Sequence, residues 1–463
     1  MTTIGSDPLD QTQISGIDLS AISPDQIAMV TPGRNAPVTF DDLRDLEEHI
    51  HSVIDSVRSA GHSPTGMKTA PRINATQLAK LCRKSNTTML RLLDRAAEFG
   101  LADGHNPPPM EGEETAPTKG AGNRQRRMFT LQQAIDWIRH VGPMYRRPNG
   151  AQACTVAVGN FKGGVGKTVM ATCVAQGLSL LGYRVLCIDL DPQGSMTSLF
   201  DIDRYGIEDS QTFLPLALRP SDPGYRDSLQ ESIQETYWYG CDIVAGNSAL
   251  FGGEFFLPLR QMEAATKEPS FRFMEVLDRA LDNGLRDEYD YIVIDTPPAL
   301  SYITMNAYWA ADAILMPLPA EGIDLVSSAQ FWSMFTSLAS TAAASASKPK
   351  SFSWIAAVPS KIDHSKGRTK INLKVMQSAY QGYLLGNVEI PESAAIGNGG
   401  VTLNTVYDME SYAGSAKTYA RPREAFDRLC EEVDYLTRLR KWGQTPEDIE
   451  RDLQGASNPN NGA

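Results

Sequence analysis

The period of the apolar positions changes about a third of the way along the chain. Residues 40–61, FDDLRDLEEHIHSVIDSVRSAG, place Leu43, Leu46, Ile50, Val53, Ile54 and Val57 on one stripe. That period, near 3.5, predicts an amphipathic helix. The helix stands alone before a Pro/Gly/Ser break at 62–71, so its stripe needs a partner, either the adjacent domain or a second copy of itself. Residues 72–103 predict two or three short helices, and FTLQQAIDWIRHVG (129–142) another, closed by glycine and proline. The stretch 103–128 between them has no period. From 154 onward the apolar runs are short and continuous: CTVAVGN, RVLCIDLD, YDYIVIDTPP, AILMPLPA and SWIAAVPS. They alternate with helical segments, the first over 167–182 and the last near 421–441. Continuous apolar strands separated by helices predict a parallel sheet covered on both faces.

This pattern divides the chain into a polar tail (1–36), a lone helix (37–62), a small helical domain (63–148), an α/β domain (149–442) and a polar, flexible tail (443–463). A length of 463 residues suits such a division. The net charge of −12 argues against a protein that coats DNA as a histone does, but it is an average over regions of different sign. None of the six cysteines forms a C-x-x-C pair, and several lie in apolar runs, which predicts buried free thiols in a reducing cytoplasm. MTTIGSDPLDQTQ is too polar for a signal peptide, and no apolar run reaches membrane-spanning length.

The candidate chemistry lies at the first strand-to-helix junction, GNFKGGVGKT (159–168). Gly159, Gly163, Gly164 and Gly166 let backbone N–H groups close round phosphates, and the helix N-terminus adds its dipole. Lys167 is placed to neutralise terminal phosphates and the Thr168 hydroxyl to bind Mg²⁺. Two acidic strand ends follow, Asp189 and Asp191 in VLCIDLDPQGS and Asp295 in YIVIDTPP. In a doubly wound sheet such ends converge on the ligand crevice, where carboxylates hold Mg²⁺ through water or orient an attacking water.

KGGVGKT (162–168), DLDPQGS (189–195) and IDTPP (294–298) together resemble the deviant Walker A ATPases, which include ParA partition proteins, MinD-like proteins and the nitrogenase iron protein. DPQGS and DTPP are most similar to ParA, and the resemblance spans roughly 150–440. It implies a doubly wound, mostly parallel P-loop ATPase domain with ATP/ADP and Mg²⁺ as cofactors. It also implies a homodimer that sandwiches ATP, with weak hydrolysis stimulated by a partner. By that resemblance Lys162 is the signature lysine that reaches the partner subunit's phosphates, Lys167 the P-loop lysine, and Asp191 the residue that positions the hydrolytic water. Thr168, Asp189 and Asp295 form the metal set. The nucleotide-contacting set is Lys162, Gly163, Gly164, Val165, Gly166, Lys167, Thr168 and Val169, with Pro391 on the adenine side. PSKID (359–363) and IPES (390–393) lie where such proteins hold the base. Val169 departs from the family's usual second threonine, after the metal ligand. The tail lacks the basic amphipathic helix of MinD-like proteins, and no cysteine pair is placed to bridge a cluster.

The segment INATQLAKLCRKSNTTMLRLLDRAAEFGLADG (73–104) fits a helix-turn-helix: ATQLAKLC, the turn RKS, and NTTMLRLLDRAAEFG as recognition helix. Its candidate DNA contacts are Arg83, Lys84, Ser85, Thr87, Thr88 and Arg91, and NRQRR (123–127), with Arg126, is a candidate wing. Thirteen Arg/Lys against seven Asp/Glu between 72 and 147 give this region about +6. The arrangement resembles the long, plasmid-type ParA proteins, whose N-terminal winged helix-turn-helix represses their own operon and follows a dimerisation helix, here 40–61. The family also implies ATP-controlled, non-specific DNA binding by the ATPase dimer and a ParB-type centromere-binding partner, in the cytoplasm and on the nucleoid. HSKGRTKINLK (364–374) and AKTYARPR (416–423) supply Arg368, Lys370 and Arg421 for that surface, with Lys366, Lys417 and Arg423 beside them. The alternative is a related ATPase that positions another cargo or acts mainly as a transcriptional regulator.

Overall fold

The computed structural model describes residues 38–57, 68–105, 127–203, 206–267, 269–343, 349–392, 404–408 and 416–455. They fall into two units, one holding the lone helix and the other nearly everything from Lys68 onward. The lone helix α1 spans Phe40–Val57. Thr39 caps it, its backbone N–H and hydroxyl donating to Asp42 Oδ2 at 2.8 and 2.7 Å. Leu43, Leu46 and Ile50 of its stripe are about half exposed. Residues 58–61 of the expected helix lie outside the described residues, as do the tail 1–36 and residues 123–126 of the candidate wing, Arg126 among them.

The second unit begins with the segment that the sequence reads as a helix-turn-helix. Strand β1 (Ile73–Asn74) leads into α2 (Ala75–Leu81) through a capping box of Asn74 and Gln77. Ser85 caps α3 (Asn86–Leu93) by accepting from Thr88 N–H at 3.1 Å. The expected continuous helix to Gly100 breaks at Asp94–Arg95 and resumes as a 3₁₀ turn, Ala96–Phe99. That break turns Ala96 into the core, and Gly100, at φ +67°, ends it. Strand β2 (Met128–Phe129) pairs antiparallel with β1, and α4 (Leu131–Val141) closes the domain. Leu78, Cys82, Met89, Leu93, Phe129 and Trp137 form its core, with Trp137 Nε1 donating to Ala102 C=O at 2.8 Å.

Then comes the sheet: β3 (Cys154–Val158), β4 (Val185–Asp189), β5 (Gln234–Glu235), β6 (Cys241–Val244), β7 (Tyr291–Asp295), β8 (Ala313–Pro319) and β9 (Trp354–Ser360). Their order is β5-β6-β4-β7-β3-β8-β9, with all pairs parallel except β5–β6. Every apolar run read from the sequence is one of these strands. β6 carries no such signal, because it has four residues and one of them, Asp242, accepts from Tyr289 Oη at 2.8 Å. Helices follow the strands: α5 (Lys167–Leu180), α6 (Ser195–Leu199), α7 (Gly253–Lys267), α8 (Tyr302–Ala310), α9 (Gly322–Ala343) and α10 (Thr369–Tyr380). Strand residues alternate between faces. Val156, Cys187 and Val293 face α5 and the long helix α11 (Ala416–Arg440), while Leu186, Ile188, Ile292 and Ile294 face the layer of α7 and α8. Each buried aliphatic side chain contributes about 1.5–3 kcal/mol.

Two boundaries differ from the expectation. The polar composition of 443–463 predicts a flexible tail, but Pro446–Gly455 is a helix, α12, capped by Thr445 and Asp448 and anchored by buried Ile449. The division at 148–149 is no free linker. Leu131, Ile135 and Tyr145 belong to the same apolar cluster as β3, β4 and α5, while Ala134, Trp137 and Ile138 of the same helix belong to the N-terminal core, so α4 is shared by both cores and Leu81 packs against each.

Candidate functional site

The turn between β3 and α5 owes its shape to glycine. Gly164 and Gly166 have φ of +72° and +95°, and open space surrounds both, so backbone conformation rather than room demands them. Gly166 is the N-cap of α5, which puts Lys167 and Thr168 in the first helical turn. N–H groups there point away from the helix, the geometry that receives phosphate oxygens. Lys167 is 6% exposed, and its Nζ donates to the Lys162 carbonyl at 3.2 Å. Burial pushes its pKa down, and the carboxylates of Asp295 and Asp191 oppose that shift.

Three strand ends stand level beside the loop. Val158 on β3 pairs with Asp295 on β7, which pairs with Asp189 on β4. Both oxygens of Asp295 are buried and have no hydrogen-bond partner among the described residues. Burial and the charge of Asp189 push the Asp295 carboxyl well up. The nearby Thr168 hydroxyl and Lys167 ammonium ease the shift, although neither reaches it at hydrogen-bond geometry. Asp189 is different. Its Oδ2 accepts from Thr197 N–H and Oγ1 at 2.9 and 2.8 Å, and its Oδ1 from Asp191 N–H at 3.1 Å. Burial pushes it up to about 6 against those bonds. Asp189 is thus an internal anchor that shapes the loop carrying Asp191, where the sequence suggests a metal holder. Asp191 is half-buried and accepts from Gln193 N–H at 2.9 Å.

One residue absent from the sequence-derived set belongs to this site. Asn160, 3% exposed, donates from Nδ2 to Pro317 C=O at 3.0 Å and accepts the Lys162 N–H on Oδ1 at 3.0 Å. Its sequence signal is an asparagine two residues before the lysine, the spacing of an Asx turn. On the other side of β8, the two adenine candidates meet. Ile362 N–H donates to Ile390 C=O and Ile390 N–H to Pro359 C=O, at 3.0 and 2.8 Å, and buried Pro391 is bridged to Ile362.

The basic candidates separate. Ser85, Thr87, Thr88 and Arg91 are exposed along α3, and Lys84 is half-buried. Arg83, at φ +51°, turns instead toward α11, its Nη2 donating to Glu431 Oε1 of that helix at 2.5 Å and to Tyr145 Oη, beyond α4, at 2.8 Å. It is a tie between domains rather than a free phosphate contact. Arg368 and Lys370 are exposed at the start of α10 and Arg421 near the start of α11. Lys366 is paired with Glu392 at 2.6 Å, and Arg423 lies over the Tyr407 ring and bonds Asp427. The side chain of Lys417 lies outside the described residues. Among the described residues there is no cluster of His, Cys, Asp and Glu that holds a metal unaided, and no helix is long and apolar enough to cross a membrane.

Residues 153–346 match the model of an AAA domain. A putative replication protein A of Rhizobium rhizogenes is 30% identical over 329 residues, covering 69% of this chain and 79% of that protein. The chromosome partitioning protein ParA of Caulobacter vibrioides (strain NA1000 / CB15N) is 34% identical over 166 residues, 36% of this chain and 56% of that one. A solved structure described as a partition protein superposes with a TM-score of 0.56 at 18% identity, covering 84% of this chain and 98% of its own. With the phosphate loop, the carboxylates and the strand order arranged as above, this chain belongs to the ParA-type family of partition ATPases.

Proposed function

We propose that this chain segregates DNA by binding and hydrolysing ATP with Mg²⁺ as a homodimer. The observation that carries this reading is Asp295: two buried carboxylate oxygens, without a partner among the described residues, beside Thr168 and Lys167 at the mouth of a phosphate loop. A hydrated cation satisfies such oxygens, and Mg²⁺ characteristically keeps several waters and takes its other ligands from phosphates. Thr168 and Asp295 would hold the ion, which would supply positive charge to neutralise the phosphates. Lys167 leaves the Lys162 carbonyl for the terminal phosphates of its own subunit. Lys162 serves the phosphates of the partner subunit, and Asp191 aims the attacking water from a loop that Asp189 braces. Pro391 and the paired segments 359–363 and 390–392 flank the base.

The dimer then binds DNA without sequence preference through Arg368, Lys370 and Arg421, and a ParB-type centromere-binding protein stimulates hydrolysis and release. With ADP, the N-terminal domain binds its own operator through Lys84, Ser85, Thr87, Thr88 and Arg91 and represses the operon. What supports this half is the exposed N-terminal part of α3 in a region of net charge about +6. Filter binding tests it. ADP should retain the upstream fragment selectively, and ATP should retain any fragment with a steep loss of binding as salt rises. Failure to bind DNA in both states refutes the reading.

A further inference from the structure

The structure assigns a role to Asn160: it is a positioning residue that fixes the base from which Lys162 acts. This inference rests on the reading of Lys162 given above. The front of the phosphate loop is glycine-rich, and glycine runs do not hold a direction by themselves. Both polar backbone atoms of Lys162 are nevertheless occupied. Its N–H goes to Asn160 Oδ1 at 3.0 Å and its carbonyl accepts from Lys167 Nζ at 3.2 Å. The second bond is temporary, because Lys167 is the residue that must turn to a phosphate. Once it does, the Lys162 carbonyl loses that donor while the bond to Asn160 stays. Asn160 is itself fixed, since Nδ2 donates to Pro317 C=O on β8 at 3.0 Å and the side chain is buried. β8 pairs with β3 alongside the loop, so the amide ties the front of the loop to a neighbouring strand of the rigid sheet. A lysine has a long, flexible side chain, and fixing its backbone removes part of the entropy it must lose to reach a distant target.

The role separates Asn160 from a merely structural buried amide. A structural amide would affect nucleotide affinity, turnover and stability together. A positioning residue affects turnover through Lys162 and leaves the subunit's own hold on ATP largely intact. The test is a double-mutant cycle on the full chain, with steady-state hydrolysis and the affinity for a fluorescent ATP analogue as paired readouts. Asn160→Ala should lower kcat about tenfold or more while the analogue's Kd changes by about threefold or less. In a Lys162→Ala background the same change should lower kcat by about twofold at most, since the group it positions is gone. Asn160→Ser should recover part of the loss, because a serine hydroxyl accepts the N–H two residues on, though more weakly. Thermal unfolding of each variant separates these effects from misfolding. If the two losses multiply, or if Kd rises in step with the fall in kcat, Asn160 does not act through Lys162. If Lys162→Ala alone turns over at the wild-type rate, the reading of Lys162 fails, and the role of Asn160 with it.

Discussion

Asp434 shows how far burial can move a single residue. It lies on α11, 2% exposed, accepting from Tyr183 Oη at 2.5 Å and Tyr291 Oη at 3.2 Å, with the buried Arg438 guanidinium 3.9 Å away. Desolvation dominates and pushes its pKa up to about 6; the Tyr183 bond, Arg438 and the Tyr291 bond pull it back, and the charge of Glu431 adds to the rise. A carboxyl raised in the folded state stabilises the fold below its unfolded pKa, and that contribution is lost as pH rises through the folded value. The window is therefore between about 4 and 6. An amide in place of this carboxyl keeps an acceptor for the tyrosines and cannot ionise. Asp434→Asn should thus gain on the wild type by about 1 kcal/mol between about pH 5 and pH 7, measured as the difference in urea midpoints. A constant difference across that range would show that Asp434 does not titrate there. Nothing in the local sequence singles this group out, because an aspartate in an amphipathic, charged helix such as EEVDYLTRLR is expected on the solvated face. The loop lysines and strand-end aspartates are legible because their roles follow from spacing next to a strand and a helix. Asn160, Arg83 and Asp434 acquire theirs from partners far along the chain, apart from the short turn at Asn160.

At the scale of elements, α5 matters most because it begins at the phosphate loop and crosses α11. The crossing is close at Gly177, where an added Cβ would overlap Cys430 Sγ and lie 2.7 Å from Tyr407 Oη. In an exposed helix, Gly→Ala gains about 1 kcal/mol in helix propensity. Here overpacking costs about 1–3 kcal/mol, and with two heavy atoms inside contact distance the cost should win. Gly177→Ala should lower the urea midpoint, and Cys430→Ala added to it should recover part of the loss although it opens a cavity when made alone. A stabilised Gly177→Ala would mean that the helices can separate without penalty. Strands and long helices are readable from period alone, but this approach is not, since an isolated glycine in a helical pattern has many explanations. The same limit applies to α12, whose polar sequence reads as a tail until Ile449 is seen buried and Asp452 paired with Arg438.

At the scale of the whole molecule, the sequence marks two domains, whereas the structure has them share helix α4, one face of it in each core. Ile135 and Leu131 on α4 join the apolar cluster of β3, β4 and α5. Polar ties surround this seam: Arg83 to Glu431, Arg139 Nε to Gly182 C=O at 2.8 Å, and Met144 N–H to Asp452 C=O at 3.1 Å. Lys68, at the start of this unit, donates to Leu199 C=O at the end of α6 and pairs with Asp408 at 3.0 Å, while Gln176 of α5 bonds the same carboxylate. The elements leaving the phosphate loop and the Asp191 loop thus meet on the chain that enters the N-terminal domain. Buried apolar area, rather than the half-exposed Arg83–Glu431 pair, carries most of the coupling, because exposed pairs contribute only about 0–1 kcal/mol. Residues 68–455 of the protein should therefore unfold in one calorimetric transition, and Mg-ADP should raise it as a whole and increase amide protection in α3 as well as α5. Ile135→Ala, at a cost of about 2–5 kcal/mol, should weaken the seam enough that protection of α3 no longer follows nucleotide. Two transitions in the wild type, with nucleotide moving only one, would show that the shared helix α4 does not couple the domains. The N-terminal domain would then have to sense ATP through the dimer rather than through its own chain.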